Sequence, residues 1–239
     1  MRKTIFLLTV IILLTASGCA STRKGEIFSE APIALVSLVS NFDINWKGEE
    51  PISHTTTTGD AIRRMMRADE DWVIFTRADL IIEETEQTIR NLLENSPFIT
   101  LAPKDQVFGS RSYNEARLNR VQENDEMIMP EGYRLIFHRD NNFFPAFARE
   151  TGIERTLFIT LDLTKAMSSG FAKNGNFRAL VDMSVVLKNE RGRTIFSRVY
   201  SVRSQGQTRT TSGAYSQEEL LDLVRSAIYD ASSAFLDSL

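Results

Sequence analysis

Two-residue alternation dominates the C-terminal half of the chain. Leu157, Ile159, Leu161 and Leu163 alternate with Thr160 and Asp162. Phe177, Ala179, Val181, Met183, Val185 and Leu187 alternate with Arg178, Asp182, Ser184 and Lys188. That period gathers the apolar set on one sheet face. Asn189-Glu190-Arg191-Gly192 supplies turn chemistry. Residues 177–188 and 194–203 are therefore expected to pair as an antiparallel hairpin. Its register points Phe177, Val181, Val185 and Leu187 to the core, because a one-residue slip would bury Arg178, Asp182 and Lys188 instead. A loop rich in Gln, Thr and Ser follows. The period then lengthens, with Leu221, Val224, Ile228, Ala231 and Phe235 on one face of a terminal helix and Ser216 and Glu219 in capping-box spacing at its start.

Nearer the N-terminus, Pro32 precedes the apolar run 33–39, which reads as a buried strand. Residues 41–59, with their threonine tract, read as a loop, and 60–67 as a short helix with Arg63, Arg64 and Arg67 on a solvated face. Thr76 and Asp79 stand in capping-box spacing ahead of a helix over 76–95, with Ile82, Thr85, Ile89, Leu92 and Leu93 as its apolar stripe. Pro97 stops that helix. Phe98 to Leu101 is expected as a second strand. Helical turns at 105–108 and 114–118, a turn at 130–132 and a short strand at 133–137 follow. The helix over 144–152 has Pro145 at its first helical position and Gly152 just past its end. The pattern predicts an α/β (α+β) fold, a mixed sheet of about five strands with helices packed on it, closed by a β-hairpin and a terminal helix.

The first nineteen residues follow another rule. Arg2 and Lys3 precede the apolar run Ile5 to Leu14, and Ala16-Ser17-Gly18-Cys19 closes it with small residues and the only cysteine. This is the build of a secretory signal whose apolar core is too short for a permanent span. Its end resembles a lipobox, with Ala16 where leucine is commoner. The resemblance implies cleavage before Cys19 and acylation of that cysteine, by palmitate among other chains. Residues 1–18 are then a signal peptide, 19–31 a lipidated tether and 32–239 one α/β domain. The unpatterned tether segment reaches at most ~35–40 Å, which keeps the domain near its membrane. Ala20 after the cysteine points to the outer membrane and the periplasm, with the inner membrane and surface display left open.

Composition adds little, with 42% hydrophobic and 25% charged residues, as in an ordinary globular protein. Loss of Arg2 and Lys3 takes the formal charge from −3 to −5, which gives no reason to seek nucleic acid. A zinc site is not expected, since His54 and His138 lack a second histidine or cysteine at ligand spacing. No nucleophile elbow, phosphate loop or dinucleotide fingerprint occurs, and no cofactor is expected. The clusters Glu83-Glu84-Glu86 and Glu123-Asp125-Glu126 read as solvated faces.

Several passages resemble the α/β domain shared by envelope proteins: the curli-secretion lipoprotein, the lipoprotein activators of penicillin-binding proteins, and the N-terminal domain of the Tol translocation protein. They are Asn95 to Leu101, the helix from Pro145 to Gly152 leading into Ile153 to Leu161, the hairpin about Gly192, and the terminal helix. The resemblance implies a non-enzymatic, membrane-attached module that binds a protein partner or assembles with its own copies. A periplasmic hydrolase acting on cell wall or lipid is the alternative. The concentration of apolar side chains in 127–147 is the candidate binding surface, with Met127, Met129, Tyr133, Phe137, Phe143 and Phe144 as its contact residues. The competing reading is a local closure over the core.

Overall fold

A computed structural model describes residues 28, 31–48, 72–118, 127–137 and 139–239. Cys19, His54, His138 and the helix expected at 60–67 lie outside the described residues.

The centre of the molecule is a pair of very long antiparallel strands, β5 (Arg155–Phe171) and β6 (Asn174–Lys188), where the alternation is strongest. On the far side of β5 lies β1 (Ile33–Asn41), parallel to it, with Ile33 opposite Arg155. Farther along the same edge β2 (Asn45–Trp46) continues the parallel pairing at Thr164 and Lys165. β4 (Met127–Ile128) closes the outer end of β1. On the other side, β6 pairs first with β7 (Thr194–Arg203) and then, nearer its start, with β8 (Thr208–Thr211). β9 (Ala214–Ser216) and β3 (Trp72–Val73) complete a mixed sheet of nine strands among the described residues. The expected count of about five is exceeded by short strands. Two of them, β8 and β9, lie in the supposed polar loop, where Thr208, Thr210 and Tyr215 are buried.

Odd-numbered residues of β5 and β6 face the long helices α1 (Ile82–Glu94) and α5 (Gln217–Leu236). Phe177, Val181, Val185 and Leu187 are all fully buried there with Val224, Ile228 and Phe235, the register expected from the alternation. The opposite face carries a second, smaller core at one end of the sheet. Ala34, Val36 and Phe158 meet three short helices, α2 (Lys104–Phe108), α3 (Arg111–Asn114) and α4 (Phe143–Thr151).

Several local expectations are corrected. Thr76 and Asp79 do not cap α1. Ile44 N donates to Thr76 O and Ala78 N to Phe42 O, which ties 76–78 to the segment after β1. A 3-10 turn, Ala78–Leu80, follows, so the helix begins only at Ile82 and has no side-chain cap. Phe98 to Leu101 is not a strand, since only Leu101 bridges Ile33. Residues 133–137 likewise form only an isolated bridge, Leu118 to Ile136. α4 starts two residues early, leaving Pro145 at its third position, still in the first turn where no amide is missed. Gly152 ends it in the left-handed region with φ 74°, as expected. At α5, Ser216 Oγ accepts from Glu219 N, but the Glu219 carboxylate turns to the Thr208 hydroxyl and leaves the capping box half made.

Phe28 changes the reading of the tether. It is buried, edge-on to Phe196 and Phe235 with centroids 5.2 and 5.6 Å away. Phe28, expected within the tether, thus packs on the folded body.

Candidate functional site

The segment 127–147 is mainly core. Phe144 is 1% exposed, edge-on to Phe143 at 5.2 Å and tilted against Phe158 at 6.1 Å. It also lies under the β6–β7 turn, where a Cβ on Gly192 would come within 2.5 Å of its ring. Phe143 and Tyr133 are buried as well. These three rings, expected as surface contacts, are buried: Phe143 and Phe144 in the second core of the sheet, Tyr133 against the first. Met127, Met129 and Phe137 are half-buried.

Tyr133 belongs to a buried polar cluster. Its hydroxyl donates to Glu86 Oε1 at 3.0 Å and accepts from Arg90 Nη2 at 3.0 Å. Arg90 Nε and Lys104 Nζ each reach a Glu86 oxygen at 2.8 Å. Burial opposes the charge on Glu86, but the three donors outweigh it and hold its pKa below the ordinary value. Burial pushes the Tyr133 phenol well up. Glu86, which the sequence suggested was solvated, is instead the clamp that joins α1, α2 and the 130s loop.

The second polar cluster lies farther along the sheet. Lys165, on β5, is buried, and its Nζ donates to Tyr215 Oη at 2.7 Å. Tyr215 Oη also meets Thr76 Oγ1 at 3.1 Å. The Trp46 ring stands 5.4 Å from the ammonium, and Phe177 packs edge-on to both Trp46 and Tyr215. Burial raises the Tyr215 pKa, and nearby buried Asp43 adds to the rise. The cluster fixes β2, β5 and β9 beneath the end of the β5–β6 hairpin.

That hairpin end is the most exposed apolar feature among the described residues. Phe171 is 87% exposed. The turn after it, Ala172-Lys173, has φ 49° and 60°, positive at both central positions without a glycine. Such a turn matches the twist of a two-residue hairpin, but each non-glycine residue costs roughly 1–2 kcal/mol. Gly170 and Gly175 face each other just behind it. A Cβ on Gly170 would come within 2.0 Å of Asn174 O, so only glycine permits this crossing. The neighbouring β8–β9 turn braces the tip: Gly213 N and Thr210 Oγ1 donate to Lys173 O at 3.1 and 3.2 Å, and Ser212 N to Asn174 Oδ1 at 2.7 Å. Phe171 is therefore held out on a rigid support. The sequence reading missed it. Its signal was Gly170 and Gly175 flanking the join between two long alternations.

The tip and the point where the chain enters the sheet lie at opposite ends of β5. Ile33 pairs with Arg155 at the strand's start, and the seventeen residues of β5 carry Phe171 about 50 Å away along its length. Lys47 and Arg209 are exposed near the tip, and Lys173 stands over the Trp46 ring.

No metal-ligating group of three or more His, Cys, Asp or Glu occurs among the described residues. No described helix is long and apolar enough to cross a membrane.

No protein-family model matches the chain, and no curated protein does. Among solved structures, it is similar to the LpoB C-terminal domain from Salmonella enterica, at 12% identity, 73% of this chain, 84% of that chain and a TM-score of 0.33. It is also similar to the LpoB C-terminal domain from Escherichia coli, at 13% identity, 72% and 82% coverage and a TM-score of 0.29. A third similarity is to the hypothetical protein CT253 from Chlamydia trachomatis, at 11% identity, 73% of each chain and a TM-score of 0.28. Similarity at this level defines neither a family nor a function for the chain.

Proposed function

We propose that the protein is an envelope lipoprotein, anchored through Cys19 on the periplasmic side of the outer membrane, that binds a protein partner and catalyses no reaction. The observation that carries this reading is Phe171, a fully presented ring on a braced, strained hairpin at the far end of the sheet from the anchored terminus. Strain kept in a turn marks positions whose geometry matters beyond folding. A protruding aromatic on a rigid support is the kind of anchor that dominates protein interfaces when it enters a pocket, since little side-chain freedom is lost. The short link after Cys19 holds the Phe28 end of the body near the bilayer, and the length of β5 allows the tip to project away from it. The partner therefore lies in the same envelope layer, on the side facing away from the anchoring membrane. Lys47 and Arg209 favour an acidic rim around its pocket.

The test is in-cell photo-crosslinking of the full chain with benzoylphenylalanine at position 171, and at exposed Tyr229 as the control. One discrete heterologous adduct is expected from 171, none from 229, and loss of the adduct in Cys19→Ala. Equal labelling from both positions, or no adduct from a correctly lipidated chain, overturns the assignment.

A further inference from the structure

Among the described residues, β7 is an edge strand of the sheet. It is ten residues long, pairs only with β6, and has no strand on its outer edge among the described residues. Natural edges are usually blunted by charged side chains, lysine above all, by proline, a bulge or brevity. The run Thr194 to Arg203 contains no proline, glycine or lysine, and its charges are Arg198 and Arg203. After a register shift at its start, its pairing with β6 is regular from Phe196 to Arg203. Val199, at its middle, is 57% exposed.

The direction of the free hydrogen-bonding groups follows from the register. Ser204 N donates to Ala179 O, so even-numbered residues of this edge turn their backbone groups toward β6. Ser197, Val199, Ser201 and Arg203 then present N–H and C=O outward. An antiparallel partner must match odd residues with odd ones, which restricts a symmetric pair to a dyad on a residue.

We propose that the outer edge of β7 pairs with the same edge of a second copy of this chain, antiparallel, with the dyad through Val199. In this register Val199 meets its own twin, Ser197 meets Ser201, and Ile195 meets Arg203. On the helix-facing side Arg198 lies opposite Tyr200, whose own Arg198 already stands 5.3 Å from its ring. A dyad on Arg198 would set guanidinium against guanidinium, a destabilising cross-strand pair. The Val199 register keeps nine residues overlapping, buries the exposed valine, and places no like charges face to face. It continues the sheet from one copy into the next, and it is an isologous contact that closes at two copies. This pairing is independent of the hairpin tip, and neither proposal requires the other.

The test uses the full chain in isolated membranes beside the parent, whose own dimer yield reports any free Cys19 thiol and is subtracted. Val199→Cys, oxidised with copper phenanthroline, is expected to run at twice the chain's mass on a non-reducing gel, since directly paired Cα atoms of about 5.5 Å are within disulfide reach. Ser197→Cys alone is expected to give at least tenfold less dimer. The double variant Ser197→Cys/Ser201→Cys restores it and reads the same register should Val199→Cys fail to accumulate. Dimer from Tyr229→Cys at the level of Val199→Cys would mean random collision. A disulfide to a different protein would give the edge to a foreign strand. Either result, or no dimer from both the Val199 and the double variant, overturns the proposal.

Discussion

Lys165 Nζ and Tyr215 Oη lie 2.7 Å apart, both side chains buried, and join the central strand β5 to the peripheral strand β9. An ammonium in such a place depends on its acceptors, and the Tyr215 hydroxyl also holds Thr76. Tyr215→Phe leaves the charge in place and removes this acceptor, so it is expected to cost about 1–3 kcal/mol. The urea midpoint of Tyr215→Phe against the parent measures that cost. An unchanged midpoint would show that the hydroxyl does not hold the ammonium.

Three buried phenols give the protein an alkaline limit. Burial raises the pKa of Tyr113, Tyr133 and Tyr215 above the ordinary 10.0. The folded chain then keeps protons that the unfolded chain loses, so the associated stability is intact below pH 10 and declines as pH rises beyond it. Urea midpoints should fall from pH 10 to 11, with phenolate absorbance appearing together with unfolding. Phenolate absorbance from all three rings before unfolding would contradict their burial.

Glu86 acts in the opposite direction. Its pKa is held below 4.5, so the stability it contributes is present above that value and is lost as pH falls through the folded-state value. Glu86→Ala leaves Arg90 and Tyr133 facing each other without the carboxylate and is expected to cost about 3 kcal/mol or more. The variant should also lose part of the wild-type chain's acid sensitivity between pH 5 and 3, measured by the same titration. A variant as acid-sensitive as the parent would place that sensitivity elsewhere.

The long alternations made β5, β6 and β7 legible, along with the face they bury, because a period of two leaves few alternatives once charged residues occupy the other phase. The stripe of α5 was equally plain. The short strands were not, because β2, β3, β4 and β9 are two or three residues long and owe their pairing to neighbours, not to any pattern of their own. Thr76 shows the same limit: its spacing to Asp79 suits a cap, but hydrogen bonds to Tyr215 and Ile44 use the residue otherwise. The aromatic residues of 133–144 read as surplus because the sequence reveals neither the second core on the far face of the sheet nor the Glu86 cluster that buries Tyr133. Phe171 was missed for the converse reason, since its exposure depends on where a seventeen-residue strand ends.

The hairpin turn itself can be relaxed without changing Phe171 or the glycines behind it. Replacing Ala172-Lys173 by Asn-Gly supplies the residues that tolerate positive φ at both positions. Stability is expected to rise by about 1 kcal/mol, read as a higher urea midpoint. If Phe171 docks as proposed, the swap leaves its crosslink in place, since the ring and its glycine support are unchanged. A fall in stability would show that the Lys173 contact with Trp46 outweighs the backbone strain.

The two adjacent phenylalanines of α4 provide the sharpest test of the second core. Phe143 and Phe144 are buried in one ring cluster with Phe147 and Phe158. Phe144 also supports the Gly192 turn, and Lys188 crosses its ring at 5.3 Å before donating to Gly192 O at 3.1 Å. Truncating a buried phenylalanine costs about 3–5 kcal/mol, and a hydroxyl left without a partner in the cavity adds to that. Phe144→Ser alone should therefore lower the melting temperature by roughly 10 °C, and Phe143→Ser/Phe144→Ser should leave no cooperative transition. Phe171→Ser, the same chemical change at an exposed ring, should move the midpoint by less than about 0.5 kcal/mol. Calorimetry on the three variants separates the roles: core rings control folding, while the exposed ring leaves it almost unchanged. A cooperative double variant melting within a few degrees of the parent would return these two rings to the surface.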